Sequence, residues 1–122
     1  MKVHEKYDRE HFESSMKMVL DFIENTLKGE NKVINLLQPE ELHSIIDFKL
    51  GDEPTPHEKL MELCQKILNY QSKPYHPLFF NQLFGGFDEN SIMGAMMSPC
   101  INGSMYTYEM APCFSLMERE IF

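Results

Sequence analysis

Residues 76–88 constrain the fold of this chain most, because they interrupt a helical pattern in the middle of the sequence. The segment reads HPLFFNQLFGGFD. Its proline disfavours a helix at His76, and the pair Gly85–Gly86 permits positive φ angles or close backbone approach. Aromatic rings beside the amides of Asn81 and Gln82 are what the wall of a small-molecule pocket needs. The same spacing also suits a core strand followed by a glycine turn, so the pattern alone leaves both open.

A long amphipathic helix is expected before this segment. It runs from Asp8, a good N-terminal cap, to Lys28, and Gly29 can end it in the left-handed conformation. Its apolar stripe falls at helical spacing on Phe12, Met16, Val19, Leu20, Ile23 and Leu27. The stripe would either pack in a core or dock as an arm on another surface, and the width of the stripe suits both.

Four further helices follow from start and stop signals in the sequence. The expected ranges are 39–47, 56–71, 89–97 and 112–122. Thr55 is expected to cap the third helix, with Pro56 at its first position, and Ser98–Pro99 is expected to end the fourth. Ile92, Ala95 and Met96 would form the buried side of the fourth helix. The predicted fold is therefore mainly α, with little or no sheet.

Composition excludes several classes of function. The 122 residues make one domain or part of one, and a net charge of −8 disfavours binding to a phosphate backbone. The three cysteines have no metal-ligand spacing, so we expect reduced thiols in the cytoplasm and no metal site. Neither a leader nor a long apolar run is present, so we expect no membrane association. The last helix reaches Phe122 still in phase, which indicates a truncated domain.

Two segments together resemble a known family. HPLFFNQLFGGFD, followed by NGSMYTYEMAPCFSLME at residues 102–118, resembles the group II pyridoxal-phosphate-dependent amino-acid decarboxylases. The most similar branch contains cysteine sulfinate, aspartate and glutamate decarboxylases, and the resemblance extends from about Pro39 to Phe122. It implies the N-terminal helical segment of an α/β enzyme of aspartate aminotransferase fold type I, truncated before the cofactor-binding domain. Residues 1–38 would then be a helical arm and linker, and residues 39–122 the first segment of the decarboxylase domain, with a substrate-wall loop at 76–88.

The resemblance also implies a cofactor and a reaction. Pyridoxal 5'-phosphate acts as the electron sink when an amino acid loses its carboxylate as carbon dioxide. The family's cofactor lysine comes from a later part of the sequence, and no lysine here stands in that context. The resemblance therefore implies a carboxy-lyase, in which this chain alone contributes no catalytic residue and is inactive.

The site residues implied by the resemblance lie mainly in the wall loop. Gln82, Leu83 and Phe84 match the family's substrate-contacting stretch, and an amide at Gln82 can donate to a carboxylate or sulfinate oxygen. A serine at the position of Phe84 resembles the glutamate enzymes, whereas phenylalanine resembles those for cysteine sulfinate and aspartate. The implied pocket supports are Phe80, Asn81, Thr107 and Tyr108. The last two could instead belong to a buried aromatic loop with hydrogen-bonded hydroxyls.

Two functions follow from these expectations. In the first, the chain belongs to a decarboxylase for a small acidic amino acid and supplies dimer contacts, since the family's N-terminal helices pack across the dimer. In the second, it is an inactive helical fragment that pairs with a full-length homologue. His76 is expected to be a structural loop histidine in either case, because spacing supplies no acid or metal partner for a reactive role.

Overall fold

The computed structural model of the protein describes residues 7–49, 51–81 and 83–122, and these ranges hold five α-helices and no strand. The helices are α1 (Arg9–Lys28), α2 (Pro39–Ile45), α3 (His57–Tyr70), α4 (Glu89–Ile101) and α5 (Pro112–Ile121). The chain divides into two compact units, Met1–Gly86 with α1 to α3 and Phe87–Phe122 with α4 and α5. The prediction of a mainly α fold is confirmed for the described residues.

Both predicted ends of α1 are confirmed. The side chain of Asp8 accepts a hydrogen bond from the backbone N–H of His11 at 3.1 Å, which satisfies one of the free donors of the first turn. At the other end Gly29 has a φ of 71° and its N–H donates to the carbonyl of Thr26 at 3.1 Å. Glycine adopts this left-handed conformation without the strain that a Cβ would bring.

Helices α1 and α3 pack against each other through one side of α1. The rings of His11 and His57 stack with their centroids 3.8 Å apart, and the hydroxyl of Ser15 donates to Sδ of Met61 at 3.2 Å. This side differs from the apolar stripe that the sequence indicates. Most of the stripe is exposed, namely Phe12, Val19, Leu20 and Leu27. Whether α1 packs in a core or docks as an arm stays a prediction.

The starts of α2 and α3 differ in how well the sequence predicts them. Pro39 opens α2 as expected, and the N–H before it, on Gln38, donates to the carboxylate of Glu41 at 3.0 Å. Helix α3 begins one residue later than expected, so the prediction that Thr55 caps it is wrong. Pro56 occupies the cap position with ψ 151°, an extended conformation that keeps it outside the helix.

Helix α4 is longer than predicted. Asp88 caps it by accepting from the N–H of Asn90 at 3.2 Å, but the expected stop at Ser98–Pro99 is wrong. The helix continues through Pro99 to Ile101, although a proline inside a helix removes one hydrogen bond and crowds the carbonyl four residues earlier. It ends where Asn102 adopts a left-handed φ of 45°. Of the side chains expected to be buried, Ile92 is half-buried whereas Ala95 and Met96 are exposed.

Helix α5 starts with Pro112 at its first position, as predicted. The preceding residue, Ala111, is one of the buried apolar residues of the chain, whereas Met117 and Ile121 are exposed. An α-helix that spans a bilayer needs about 20 apolar residues, and the described part of the chain contains no helix of this kind.

Candidate functional site

The wall residues lie on an exposed loop at the end of the first unit. Phe80 is 89% exposed, Leu83 84% and Phe84 54%, while Gln82 lies outside the described residues. The core-strand interpretation is therefore wrong for the described part of this loop. Burying one such side chain contributes about 1.5–3 kcal/mol, so the loop would gain free energy if a ligand or another part of a protein covered it.

A compact turn holds the wall together. Oδ1 of Asn81 accepts from the N–H of Leu83 at 3.0 Å, and the carbonyl of Asn81 accepts from the N–H of Phe84 at 3.3 Å. The ring of Phe84 meets that of Phe79 edge to face, with centroids 5.4 Å apart. Asn81 thus holds the backbone of Leu83 and Phe84, which is a known use of asparagine in turns.

The base of the wall is anchored to the rest of the first unit. His76 is 6% exposed, and its Nε2 lies 2.8 Å from the carbonyl oxygen of Asn31. Its Nδ1 accepts from the N–H of Leu78 at 3.0 Å. Close by, the N–H of Lys73 donates to the carbonyl of Val33 at 2.9 Å. The prediction that His76 is a structural loop histidine agrees with these contacts.

The other two predicted supports lie in the second unit. Thr107 is half-buried, and its carbonyl accepts from the N–H groups of Met110 and Ala111 at 3.2 and 3.1 Å. Tyr108 is exposed, so the alternative of a fully buried aromatic loop is wrong for this residue. The structure thus brings Phe80, Asn81, Leu83 and Phe84 together in one loop, and it places Thr107 and Tyr108 in a turn before α5.

A polar cavity of about 480 Å³ lies in the first unit. Lys73 lines it, is only 2% exposed, and donates through Nζ to the carbonyls of Asn69 and Gln71 at 3.2 and 3.4 Å. Burial lowers the pKa of the Lys73 amine, because desolvation disfavours its charged form. Sequence reasoning missed this residue, since a lysine in a loop carries no local signal of burial.

The described residues form helices and an exposed aromatic turn. The family model for the pyridoxal-dependent decarboxylase conserved domain matches residues 39–122, and the chain belongs to this family. The resemblance seen in the sequence is confirmed by this match.

Three similar proteins make the relation more specific. Cysteine sulfinic acid decarboxylase of Rattus norvegicus is 41% identical over 97 residues, which cover 77% of this chain and 20% of the relative. Glutamate decarboxylase of Drosophila melanogaster is 37% identical over 113 residues, or 93% of this chain and 22% of the relative. The crystal structure of mouse CSAD matches with a TM-score of 0.76 and 36% identity, covering 94% of this chain and 25% of that one.

These matches confirm the predicted fold class, the N-terminal helical segment of an enzyme with the aspartate aminotransferase fold. The chain spans about a fifth of the length of the relatives it matches. It is therefore similar to one end of those enzymes and not to their whole sequence.

The residues around Lys73 differ from those that pyridoxal phosphate, the family's cofactor, requires. Pyridoxal phosphate needs a lysine amine for its aldehyde and hydrogen-bond donors for its phosphate. The amine of Lys73 is bonded to two carbonyls, and the carboxylates of Asp21 and Glu30 line the same cavity, where they would repel a phosphate. These residues do not fit the cofactor, and no reaction step is assigned to them. No cluster of histidine, cysteine, aspartate and glutamate side chains among the described residues could hold a metal ion.

Proposed function

We propose that this chain is the N-terminal portion of a pyridoxal-phosphate-dependent decarboxylase that acts on a small acidic amino acid. Membership of the family supports the class of reaction. The assignment of a role to this segment depends on the exposed turn at Phe80, Leu83 and Phe84, whose apolar side chains are more than half exposed. The cofactor and its lysine would come from sequence beyond the residues of this chain.

Each wall residue would have a different role in recognising the substrate. The Gln82 amide donates to the side-chain carboxylate or sulfinate of the substrate without adding a charge. Leu83 and Phe84 limit the depth of the pocket, so a shorter acidic substrate, cysteine sulfinate or aspartate, is favoured over glutamate. Phe80 and Asn81 support this wall, and Thr107 and Tyr108 support the site from the second unit.

Residues 1–38 would act as a dimer arm, with residues 39–122 as the first segment of the decarboxylase domain. The exposed stripe on α1 supports this role, because four large apolar side chains stay in contact with water on that side. Contact with a second protomer would bury them and would contribute to dimer stability. Three free thiols, at Cys64, Cys100 and Cys113, agree with a cytoplasmic enzyme.

A second function is supported by the same exposed surfaces. Large apolar side chains stay uncovered on α1 and also on α5, where Ile121 is 80% exposed. An inactive helical module that binds a full-length homologue would use these sides without any chemistry at the wall.

The test is a turnover assay on the intact protein that carries these residues, loaded with pyridoxal phosphate. Carbon dioxide release is measured with cysteine sulfinate, aspartate and glutamate, and we expect release from at least one of the first two. Gln82→Glu should raise KM strongly, because it places a like charge against the acidic substrate. Gln71→Glu, the same change at the exposed end of α3, is the control. An intact protein that releases nothing but binds a full-length homologue would replace the first function with the second.

A further inference from the structure

His76 connects two parts of the first unit that are far apart in sequence. Every polar group of this residue has a partner within the unit. Its N–H donates to the carbonyl of Lys73 at 3.0 Å, and its own carbonyl accepts from the N–H of Phe79 at 2.9 Å. The two ring nitrogens bond to Leu78 and Asn31 as described above. The imidazole thus joins the segment after α1 to the first residues of the wall.

These contacts determine where the ring hydrogen lies. The backbone N–H of Leu78 can only donate, so Nδ1 of His76 must accept and carries no hydrogen. The carbonyl of Asn31 can only accept, so Nε2 must carry the hydrogen. The ring is therefore neutral in the Nε2–H form. A proton added to Nδ1 would face the Leu78 N–H and break that hydrogen bond.

The C-terminal cap of α1 lies next to the ring of His76. Gly29 has a left-handed φ of +71°, and a Cβ added there would lie 3.7 Å from Nε2 of His76 and 3.6 Å from Cγ of Pro77. Both residues that open the wall therefore lie next to the end of α1.

From this anchor a short chain of contacts leads to the substrate side of the wall. Phe79 is held by the His76 carbonyl, and its ring packs edge to face on Phe84. Asn81 then fixes Leu83 and Phe84 through its side chain and its carbonyl. A change in the orientation of the imidazole would be passed through these contacts to the residues that flank position 82.

We propose that the neutral Nε2–H imidazole of His76 is a positioning element. Its hydrogen bond to the carbonyl of Asn31, in the segment after α1, holds the substrate wall in position. The effect of this residue on catalysis rests on the proposed function, whereas the hydrogen bond between His76 and Asn31, called the tie below, does not. His76 touches no substrate in this role. Its loss would weaken substrate binding through the displaced wall and would leave the chemistry of bound substrate largely intact.

Two amide variants separate the two ring contacts. In His76→Gln the amide nitrogen can reach the place of Nε2 and donate to Asn31, but nothing replaces Nδ1. In His76→Asn the amide oxygen can take the place of Nδ1 and accept from Leu78, as Oδ1 of Asn81 does for Leu83, but it cannot reach Asn31. The distant tie and the local turn are thus tested independently. His43→Gln, at an exposed histidine whose ring meets that of Phe48, is the matched control.

The experiment uses the intact protein and three measurements. Nitrogen NMR of the His76 ring should show hydrogen on Nε2 and an unprotonated Nδ1. Amide hydrogen exchange at Leu83 and Phe84 should speed up in His76→Asn and stay near the wild-type rate in His76→Gln. KM should rise about 3- to 10-fold in His76→Asn, the factor that corresponds to one lost hydrogen bond, with kcat changed less than KM and His43→Gln unchanged.

The outcomes separate this inference from the proposed function. An intact protein without decarboxylase activity removes the proposed function, yet the ring NMR and the amide exchange still test the tie. Hydrogen on Nδ1, a charged ring, or equal exchange at Leu83 in the Asn and Gln variants would overturn the inference. Equal KM values in an active enzyme would overturn the effect on catalysis and leave only a structural contact.

Discussion

At the scale of single residues, an exposed side chain of the wall can be compared with an equally exposed side chain elsewhere on the surface. Phe84 and Phe48 are both 54% exposed. Phe48 follows α2 and meets the ring of His43 edge to face, whereas Phe84 lies in the turn organised by Asn81. Equal exposure at two sites therefore gives a matched comparison between a wall residue and an ordinary surface residue.

The first prediction concerns substrate choice. Replacing Phe84 by serine in the intact protein should deepen the pocket and admit a longer acidic side chain. We expect kcat/KM for glutamate relative to cysteine sulfinate to rise about tenfold or more, since one methylene is worth ~1–3 kcal/mol in discrimination. Phe48→Ser, measured in the same assays with both substrates, should leave the ratio unchanged. An unchanged ratio in Phe84→Ser would remove this residue from the specificity of the pocket.

The second prediction concerns the buried amine of Lys73. Burial lowers the pKa of Lys73 in the folded state. At a pH between the lower pKa of the folded state and the higher pKa of the unfolded state, the unfolded state therefore binds more protons at Lys73. The stability that follows from this shift is present above the unfolded pKa of about 10.4 and is lost as the pH falls through the folded pKa. In Lys73→Met this rise in stability with pH should disappear, which thermal unfolding at pH 7 and at higher pH would measure.

Lys66 offers the control for this experiment. Its Nζ also donates to a backbone carbonyl, that of Ile45 at 3.1 Å, but the residue is exposed. Lys66→Met should therefore keep the wild-type dependence of stability on pH. The slope is the relevant quantity, because Lys73→Met also leaves the carbonyls of Asn69 and Gln71 without this donor. Parallel curves for the wild type and Lys73→Met would contradict the prediction.

At the scale of the elements, helix ends are set by a few backbone conformations. Gly29 ends α1 with a φ of +71°, whereas Gly94 lies in the interior of α4, where an added Cβ would meet nothing within 4 Å. The same substitution should therefore have opposite effects at the two positions. Alanine is strained in the left-handed region and is favoured over glycine within a helix.

The third prediction follows from this contrast. Gly29→Ala should lower the free energy of unfolding by about 1–2 kcal/mol, and Gly94→Ala should raise it by about 0.5–1 kcal/mol. Urea unfolding of the 122-residue chain, followed by far-UV circular dichroism, measures both. Gly29→Asn should lose less than Gly29→Ala, because asparagine tolerates the left-handed conformation better. A neutral Gly29→Ala would mean that the cap of α1 does not contribute to stability.

At the scale of the whole molecule, the chain exposes apolar surface that its own helices do not cover. The exposed residues occur on α1, on the wall loop and on α5. The chain also spans about a fifth of the length of its relatives. Under the proposed function, a second protomer or other parts of the enzyme would cover these surfaces.

The fourth prediction concerns the cofactor. The 122-residue chain mixed with an equimolar amount of pyridoxal phosphate should show no Schiff-base absorbance and no adduct after borohydride reduction. The reason is that the amine of Lys73 is buried and bonded to two carbonyls, and the cavity beside it is lined by two carboxylates. The intact protein should form the adduct and serves as the positive control. A stoichiometric adduct at one lysine of the short chain, located by mass spectrometry, would refute this prediction.

The sequence by itself determined the features that form within a few residues of each other. The cap of α1 at Asp8 involves His11, and the left-handed end at Gly29 needs only the absence of a Cβ. Family membership followed from short ordered motifs in the same way. Where two local signals competed, as at Thr55 and Pro99, the expected helix end was wrong, because a proline restricts φ without determining where a helix stops.

Only the tertiary structure decided which side of α1 is covered and what holds the wall in place. The rings of His11 and His57 stack where α1 packs on α3, and most of the apolar stripe of α1 stays exposed. The bond from His76 to Asn31 joins residues 45 positions apart. Neither contact has a local signature, because each depends on two distant segments that become neighbours when the chain folds.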